Sequence, residues 1–222
     1  MSPPPPFRHT AGRQARKRSG LLVVLSGPSG VGKGTVLAAA MRRRTEAAGR
    51  IRRSVSVTTR ERRPDECEGV DYSFCTPRRF AGMVRRGELL EHASYLGHRY
   101  GTPGRWVDRQ LAAGYDVVLE IEVKGAMQVR RRRPSAVLIY ILPPSWQELE
   151  QRLARRRSEA EAVQRQRLAV ARREMGRLQN YDYVIINDRV SRAASKLLAI
   201  LTGEHARVAR AGFASCLEDR DE

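Results

Sequence analysis

A short apolar segment followed directly by a glycine-rich one constrains this chain more than any other feature of its sequence. Residues 21–25 are Leu-Leu-Val-Val-Leu, which is typical of a strand buried inside a parallel sheet. Residues 27–35 are Gly-Pro-Ser-Gly-Val-Gly-Lys-Gly-Thr, and residues 36–44 favour a helix. Glycines in this setting let backbone N–H groups face phosphate oxygens, and the helix N-terminus adds positive partial charge. The pattern predicts an α/β fold with a phosphate-binding loop, or P-loop, after its first strand.

The loop supplies most of the residues that we expect to bind a nucleoside triphosphate. They are Gly27, Pro28, Ser29, Gly30, Val31, Gly32, Lys33, Gly34 and Thr35. We expect Lys33 to neutralise charge near the β- and γ-phosphates during transfer. The strict pattern has Ser or Thr directly after the lysine, whereas here Gly34 follows and Thr35 comes one place later. We therefore assign no side chain of the protein as a direct metal ligand.

The rest of the chain alternates between strand and helix patterns. Further apolar runs occur at 117–121, 137–142 and 183–186, and helical patterns occur at 146–157, 160–178 and 191–208. This alternation indicates βαβ units and a mainly parallel sheet. A chain of 222 residues that is 41% hydrophobic is long enough for one well-buried core. The prediction is a P-loop three-layer α/β domain over residues 21–210.

The two ends of the chain differ from this domain in composition. Residues 1–20 contain Pro3 to Pro6 and five basic residues but no acid, which predicts a disordered basic tail. A transit peptide is the alternative, although the proline run opposes an amphipathic helix. Residues 211–222 are predicted to form a polar C-terminal tail.

The sequence has neither a long apolar run nor a paired-cysteine motif. No apolar run approaches the roughly 20 residues that a membrane span requires. The cysteines are odd in number and lack a CxxC spacing, so we expect reduced thiols at Cys67, Cys75 and Cys216. These observations predict a soluble, cytoplasmic protein without a membrane partner.

The net charge of +18 raises the question of nucleic-acid binding. Only four of the 42 basic residues are lysines, which leaves 38 arginines. Such a bias is typical of proteins from GC-rich genomes, where Arg replaces Lys generally. We prefer this interpretation to a dedicated nucleic-acid surface, and nothing in the sequence indicates an oligomeric state.

Several segments after the loop match one family in order and spacing. Residues 54–63 are Ser-Val-Ser-Val-Thr-Thr-Arg-Glu-Arg-Arg, residues 69–74 are Gly-Val-Asp-Tyr-Ser-Phe, residues 87–91 are Gly-Glu-Leu-Leu-Glu and residues 100–102 are Tyr-Gly-Thr. They resemble the guanylate kinase motifs SVSxTTRxxR, GxDYxF, GExxE and YG[ST]. With the loop and a later lid, the resemblance extends over about residues 20–205. It implies transfer of the γ-phosphoryl group of ATP to GMP, with Mg²⁺ bridging the ATP phosphates, a GMP-binding insertion at 54–103 and a helical lid at 152–180.

The resemblance implies two groups of GMP ligands. It assigns Arg60, Arg63, Tyr72 and Tyr100 to the phosphate, and Ser56, Glu91 and Thr102 to the guanine. Guanidinium groups bind phosphate in a bidentate manner, and a carboxylate matches the adjacent N1–H and 2-amino donors of guanine. Taken singly, these residues fit ordinary surface charge or packing better, and only their occurrence together favours the ligand roles. The sequence also departs from the family at Pro64-Asp65-Glu66, where a Gly commonly precedes the Glu.

Two acids lie at the end of the apolar run that begins at Val117. Glu120 and Glu122 match the family's DID or EID element, and strand alternation predicts that both lie on one face. We group them with the GMP-binding residues, near Lys33 and the metal-bound phosphates. The alternative is an ordinary polar strand end.

The lid and the last strand complete the resemblance. Arg156 and Arg167 fit the family's RLxxRG and xxRL positions, although Arg157 replaces the glycine. The resemblance makes them catalytic together with Lys33 and Arg60, and the choice among Arg152, Arg155, Arg156 and Arg167 stays open. Asn187 matches the VxND element, which implies a position near the adenine of ATP.

Two other functions remain as alternatives. One is a different small-molecule kinase, such as one acting on a ribose phosphate, which would have no need of a guanine acceptor such as Glu91. The other is a guanylate-kinase-like binding module without catalysis. The retained Lys33 and the lid arginines favour an active enzyme.

Overall fold

The computed structural model describes residues 19–154 and 161–211. In chain order, its strands are β1 (Leu22–Ser26), β2 (Ile51–Arg53), β3 (Ser56–Thr58), β4 (Tyr72–Phe74), β5 (Leu89–Tyr95), β6 (His98–Pro103), β7 (Asp116–Glu120), β8 (Val137–Leu142) and β9 (Tyr183–Ile186). Its α-helices are α1 (Lys33–Met41), α2 (Glu46–Arg50), α3 (Pro77–Arg85), α4 (Gly104–Ala112), α5 (Val123–Arg132), α6 (Trp146–Ala154), α7 (Glu161–Met175), α8 (Val190–His205) and α9 (Val208–Ala211). A short 3₁₀ turn covers Leu178–Asn180.

The core is a five-stranded parallel sheet with the strand order β2-β7-β1-β8-β9. The central strand β1 is buried on both faces, as its continuous apolar run predicts. Val23 and Leu25 pack on one side with α1 and α8, and Leu22 and Val24 pack on the other with α4 and α5. Helix, sheet and helix therefore form three layers, which confirms the predicted fold class.

A second, four-stranded sheet has the order β4-β3-β6-β5 and lies within residues 54–103. Its strands are mostly antiparallel, and only β3 and β4 run parallel. Helix α3 covers it through a small apolar cluster of Val57, Phe80 and Leu89. The segment that carries the family's motifs therefore forms a sheet of its own. That this segment is a GMP-binding insertion stays a prediction.

The predicted lid and tails are described only in part. Within residues 152–180, α6 and α7 pack together through Leu149, Leu153 and Ala171. Residues 155–160 lie outside the described ranges, as do residues 1–18 and 212–222, which make up nearly all of both predicted tails. None of the helices in the described ranges combines the length and the apolar character that crossing a membrane requires.

Candidate active site

A cleft of about 340 Å³ opens where β1 and β7 end, between the core and the second sheet. Parallel α/β sheets commonly bind ligands at the carboxyl ends of their strands, because loops and helix N-termini converge there. The cleft is lined by the P-loop, by one face of the second sheet, by the segment after β7 and by one residue of α7. A larger groove of about 780 Å³ lies elsewhere, beside Arg105 and Arg132, and contains no part of the P-loop.

The P-loop follows β1 directly and leads into α1. Most of its predicted residues line the cleft, namely Pro28, Ser29, Gly30, Gly32, Lys33, Gly34 and Thr35. Gly32 caps α1 with a φ of 93°, a left-handed conformation that favours glycine. The Nζ of Lys33 donates to the carbonyl oxygens of Gly27 at 2.5 Å and Pro28 at 3.3 Å. The ammonium group therefore lies across the loop, within reach of an anion bound there.

The two remaining loop residues lie behind this surface. Val31 is fully buried, and its carbonyl accepts hydrogen bonds from Asn187 Nδ2 at 2.8 Å and Arg152 Nη1 at 3.3 Å. Arg152 Nη2 also donates to the carbonyl of Asn187 at 3.2 Å. Asn187 and Arg152 thus brace the loop, a role that the sequence did not indicate. Contact between Asn187 and adenine stays a prediction.

One lid arginine reaches the loop. Arg167 on α7 is only 7% exposed, and its Nη1 donates to Ser29 Oγ at the edge of the cleft. Arg155 and Arg156 lie outside the described residues, so the structure says nothing of the predicted catalytic role of Arg156. Among the candidate arginines with described positions, Arg167 lines the cleft and Arg152 braces the loop.

The predicted phosphate ligands form a cationic and hydroxyl-bearing wall. Arg60, Arg63, Tyr72 and Tyr100 all line the cleft, and the rings of the two tyrosines meet edge to face with centroids 5.9 Å apart. The guanidinium of Arg60 lies 5.3 Å from the Tyr72 ring centroid. Both arginines lie on the loop after β3, while Tyr72 lies on β4 and Tyr100 on β6, so the second sheet brings them together.

An internal carboxylate already occupies part of this wall. Arg60 Nη2 pairs with Glu66 Oε1 at 2.5 Å, and the N–H of Arg63 donates to Glu66 Oε2 at 3.0 Å. Burial alone would raise the pKa of Glu66, but the hydrogen bonds from Arg60 and Arg63 outweigh it and lower that pKa. A phosphate at Arg60 would therefore compete with the Glu66 carboxylate.

Glu91 is the most unusual acid of the cleft. It is only 2% exposed on β5, and its Oε1 accepts a hydrogen bond from Thr102 Oγ1 at 2.8 Å. Burial raises the pKa of Glu91 to about 7, even though Thr102 and the charge of Arg132 oppose the shift. Ser56 lines the same cleft, whereas Thr102 is fully buried behind Glu91. Direct contact between Thr102 and a guanine stays a prediction.

The two acids near the end of β7 both line the cleft, although not as a strand pair. Strand β7 ends at Glu120, and Glu122 is the N-cap residue of α5. Both acids nevertheless face the cleft, as their two-residue spacing predicts, because the backbone of Glu122 is still extended just beyond the end of the strand. Glu120 forms an ion pair with Arg53 Nε at 2.7 Å. Glu122 acts on a third acid, because its charge, together with burial, raises the pKa of Glu174 on α7.

Several residues of the cleft were missed from the sequence: Arg53, Ser54, Asp71, Ala93, Tyr95 and Ile121. Ala93 and Tyr95 follow Glu91 at two-residue intervals on β5, so strand periodicity would have indicated that they share its face. Arg53 and Ser54 carry no comparable signal, because their position depends on how β2 pairs with β7.

The buried Glu91 predicts a pH-dependent stability difference. Its proton dissociates near pH 7 in the folded protein but near the ordinary value of 4.5 in the unfolded chain. The ionised side chain therefore destabilises the fold progressively as the pH rises from about 4.5, and this effect is complete above about 7. Between pH 5 and pH 8, Glu91→Gln should gain on the order of 3 kcal/mol in unfolding free energy relative to wild type. Denaturant titrations of the ligand-free proteins test this, and a difference independent of pH would contradict it.

Together, fold and site define a P-loop nucleotide-binding α/β protein whose cleft offers two anion-binding surfaces, the loop and the arginine–tyrosine wall. Comparison with known proteins then gives the family. The sequence model described as guanylate kinase matches residues 19–204. A curated guanylate kinase from Oceanobacillus iheyensis is 42% identical over 91% of this chain and 98% of its own length. One from Streptococcus thermophilus is 46% identical over 86% of this chain and 90% of its own length.

The structural comparison agrees. The crystal structure of guanylate kinase from Anaplasma phagocytophilum superposes with a TM-score of 0.74 at 32% identity, covering 92% of this chain and 96% of that one. The chain belongs to the guanylate kinase family.

Proposed function

We propose that this protein transfers the γ-phosphoryl group of ATP to GMP, giving ADP and GDP. The observation that carries the proposal is that the P-loop and the buried Glu91 carboxylate line one cleft, with Arg60 and Tyr100 beside them. A phosphoryl donor on the loop and a guanine at Glu91 would thus share a single cavity. Family membership supports the same reaction.

The phosphates would be held by positive charge and backbone dipoles. The loop N–H groups and Lys33 would bind the ATP phosphates, and Lys33 would exchange the carbonyls of Gly27 and Pro28 for phosphate oxygens. Arg60 would likewise exchange Glu66 for the GMP phosphate, with Arg63, Tyr72 and Tyr100 adding donors. Such exchanges leave no cation without a partner, although the phosphate must compete with Glu66 for Arg60.

Phosphoryl transfer in such a site depends on positioning and charge neutralisation, without a covalent enzyme intermediate. The proposed catalytic residues are Lys33, Arg60, Arg156 and Arg167. The contact of Arg167 with Ser29 of the loop supports a position of its guanidinium near the transferring group. The segment 152–180 is proposed to act as the lid that excludes water around it.

The guanine is proposed to bind at Glu91 and Ser56. The ionised Glu91 carboxylate would accept hydrogen bonds from guanine N1–H and the 2-amino group. The raised pKa of Glu91 means that binding near neutral pH would favour release of its proton.

Mg²⁺ is the proposed cofactor, bound together with ATP. The available donors fit it, because they are the hard oxygens of Glu120, Glu122 and Thr35 at the cleft. A Cβ added at Gly34 would lie 3.1 Å from Glu120 Oε2, so a carboxylate lies close to where the usual loop hydroxyl would be attached. Within the described ranges, no cluster of three or more His, Cys, Asp or Glu could hold a metal alone, which suits an ion that arrives with phosphates and water. When bound, Mg²⁺ would offset charge on the β- and γ-phosphates.

The remaining proposals concern setting and partners. We propose a cytoplasmic protein whose partners are ATP and GMP, in agreement with bacterial relatives and with the unbonded thiols of Cys67 and Cys75. We do not propose nucleic acid as a partner.

The test of the proposed function is ADP release from ATP and Mg²⁺ in the presence of GMP, AMP, CMP or UMP. We expect release to depend on GMP and to be slow with the other three monophosphates. Equal rates with all four would contradict the assignment of the guanine site, and no release with GMP would contradict the enzyme activity itself.

A further inference from the structure

Strand β5 carries Glu91 and lies at the edge of the second sheet, where its one strand neighbour within the described residues is β6. An edge strand leaves one row of backbone N–H and C=O groups without a strand partner. Helix α5 of the core lies along this edge. The side chain at Glu91 is therefore positioned from two directions, by β6 and by α5.

Two side chains of α5 bond directly to the β5 backbone. Gln128 Nε2 donates to the carbonyl of His92 at 2.6 Å, and Gln128 Oε1 accepts from the N–H of His92 at 3.2 Å. Arg132 Nη1 donates to the carbonyls of Leu89 at 2.8 Å and Leu90 at 2.7 Å. These bonds fix the backbone on both sides of Glu91.

A third residue of α5, Gly125, has no side chain and so leaves space for the Glu91 carboxylate. A Cβ added at Gly125 would lie 2.4 Å from Glu91 Oε2 and 3.1 Å from its Cδ, closer than nonbonded atoms approach. Because Thr102 holds the other oxygen, the carboxylate lies between a hydroxyl and the Gly125 backbone. Residues 125, 128 and 132 follow the i, i+3, i+7 spacing of one helix face. We call Gly125, Gln128 and Arg132 the α5 face.

We propose that the α5 face sets the selectivity for guanine, because it fixes the strand and the orientation of the Glu91 carboxylate. This inference rests on the proposed function and adds positioning residues to it. Two parallel hydrogen bonds to N1–H and the 2-amino group require both carboxylate oxygens in a defined plane. Moving that plane weakens binding of GMP. Binding of AMP, which lacks these donors, should change little, so the selectivity falls.

The direct test is Gly125→Ala, with Gly203→Ala as the matched control. Gly203 also lies inside a helix, α8, but an added Cβ there would meet nothing within 4 Å. We expect Gly125→Ala to lower the ratio of kcat/KM for GMP over AMP by about 10-fold or more, mainly through the KM for GMP. The KM for ATP should stay unchanged, and Gly203→Ala should retain the wild-type ratio. An unchanged ratio in folded Gly125→Ala would overturn the proposal.

A double-mutant cycle separates this role from a general packing defect. If Gly125 acts through Glu91, then adding Gly125→Ala to Glu91→Gln should lower the GMP over AMP ratio little further. A full additional loss of selectivity would show that Gly125 acts independently of Glu91 and would overturn the proposal.

Gln128→Leu provides a second route if Gly125→Ala fails to fold. It removes both bonds to His92 but leaves every cleft residue intact. We expect the KM for GMP to rise several-fold while kcat at saturating GMP and the KM for ATP stay close to wild type. An unchanged KM for GMP would overturn the proposal. Wild type is assayed in parallel, because a wild type without GMP-dependent turnover would contradict the proposed function instead.

Discussion

Lys33→Ala should lower kcat for GMP phosphorylation by about 10²- to 10³-fold while the protein stays folded. The Lys33 ammonium lies at the loop that would hold the β- and γ-phosphates, and its bonds in this structure go to the carbonyls of Gly27 and Pro28. Its positive charge would stabilise the transition state more than the bound ground state, so the loss falls on kcat.

The control for this experiment is Lys196→Ala. Lys196 is exposed on α8 and does not line the cleft, so the same change of charge there should leave kcat near wild type. Circular dichroism and thermal unfolding would check that Lys33→Ala is folded. A folded variant that retains most of its turnover would contradict the assignment of the loop as the phosphoryl-donor site.

Glu91→Gln should lower the selectivity for GMP over AMP by about 10- to 100-fold, which corresponds to about 1–3 kcal/mol. Glutamine keeps the size of the side chain but presents a donor where guanine offers only donors. Adenine has an acceptor at N1 and no 2-amino group, so AMP loses little. The measurement is the ratio of kcat/KM for the two monophosphates in wild type and variant.

Arg60→Ala is the matched control for selectivity. Its guanidinium faces the proposed phosphate site, and GMP and AMP carry the same phosphate, so both should weaken together and the ratio should persist. If Glu91→Gln leaves the ratio unchanged, Glu91 does not recognise the guanine edge, whatever happens to total activity.

The two expectations for Glu91→Gln have opposite signs. In the ligand-free protein, the substitution should stabilise the fold relative to wild type more at pH 8 than at pH 5. In the enzyme assay, the same substitution should weaken recognition of GMP. Both effects follow from the burial of the Glu91 carboxylate, which is 2% exposed. A buried carboxylate is costly to ionise without a partner, and a ligand with two donors would supply that partner. Such a trade between stability and recognition is common at functional sites.

The features that sequence determined are those carried by contiguous residues. The continuous apolar run of β1, the glycines after it and the start of α1 define the P-loop locally, and the structure has the strand, loop and helix in that order. The alternation of strands and helices likewise predicted the parallel core sheet. The segment with the family's motifs at 54–103 coincides with the second sheet. Short-range periodicity and φ preferences account for the P-loop and for the alternation, whereas the insertion at 54–103 was predicted from the family resemblance.

Where local patterns were ambiguous, the sequence interpretation stayed incomplete. Two-residue spacing predicted that Glu120 and Glu122 share a face, and both line the cleft, but it did not show that the strand ends at Glu120 or that Glu122 is the N-cap residue of α5. A strand end cannot be read from alternation alone, because an extended residue can continue the alternation beyond the last paired residue. Among the arginines near the lid, composition offered no way to separate Arg152, which braces the loop, from Arg167, which faces the cleft.

Only the tertiary structure decided the contacts that tune the site. Asn187 braces Val31 across 156 residues of chain, and Gly125 of the core lies against the Glu91 carboxylate of the second sheet. Burial of Glu91, and hence its raised pKa, likewise depends on how α5 docks on an edge strand. The physical reason is that propensity and periodicity act over a few neighbouring residues, whereas desolvation and steric fit arise from groups that become neighbours only when the whole chain is packed.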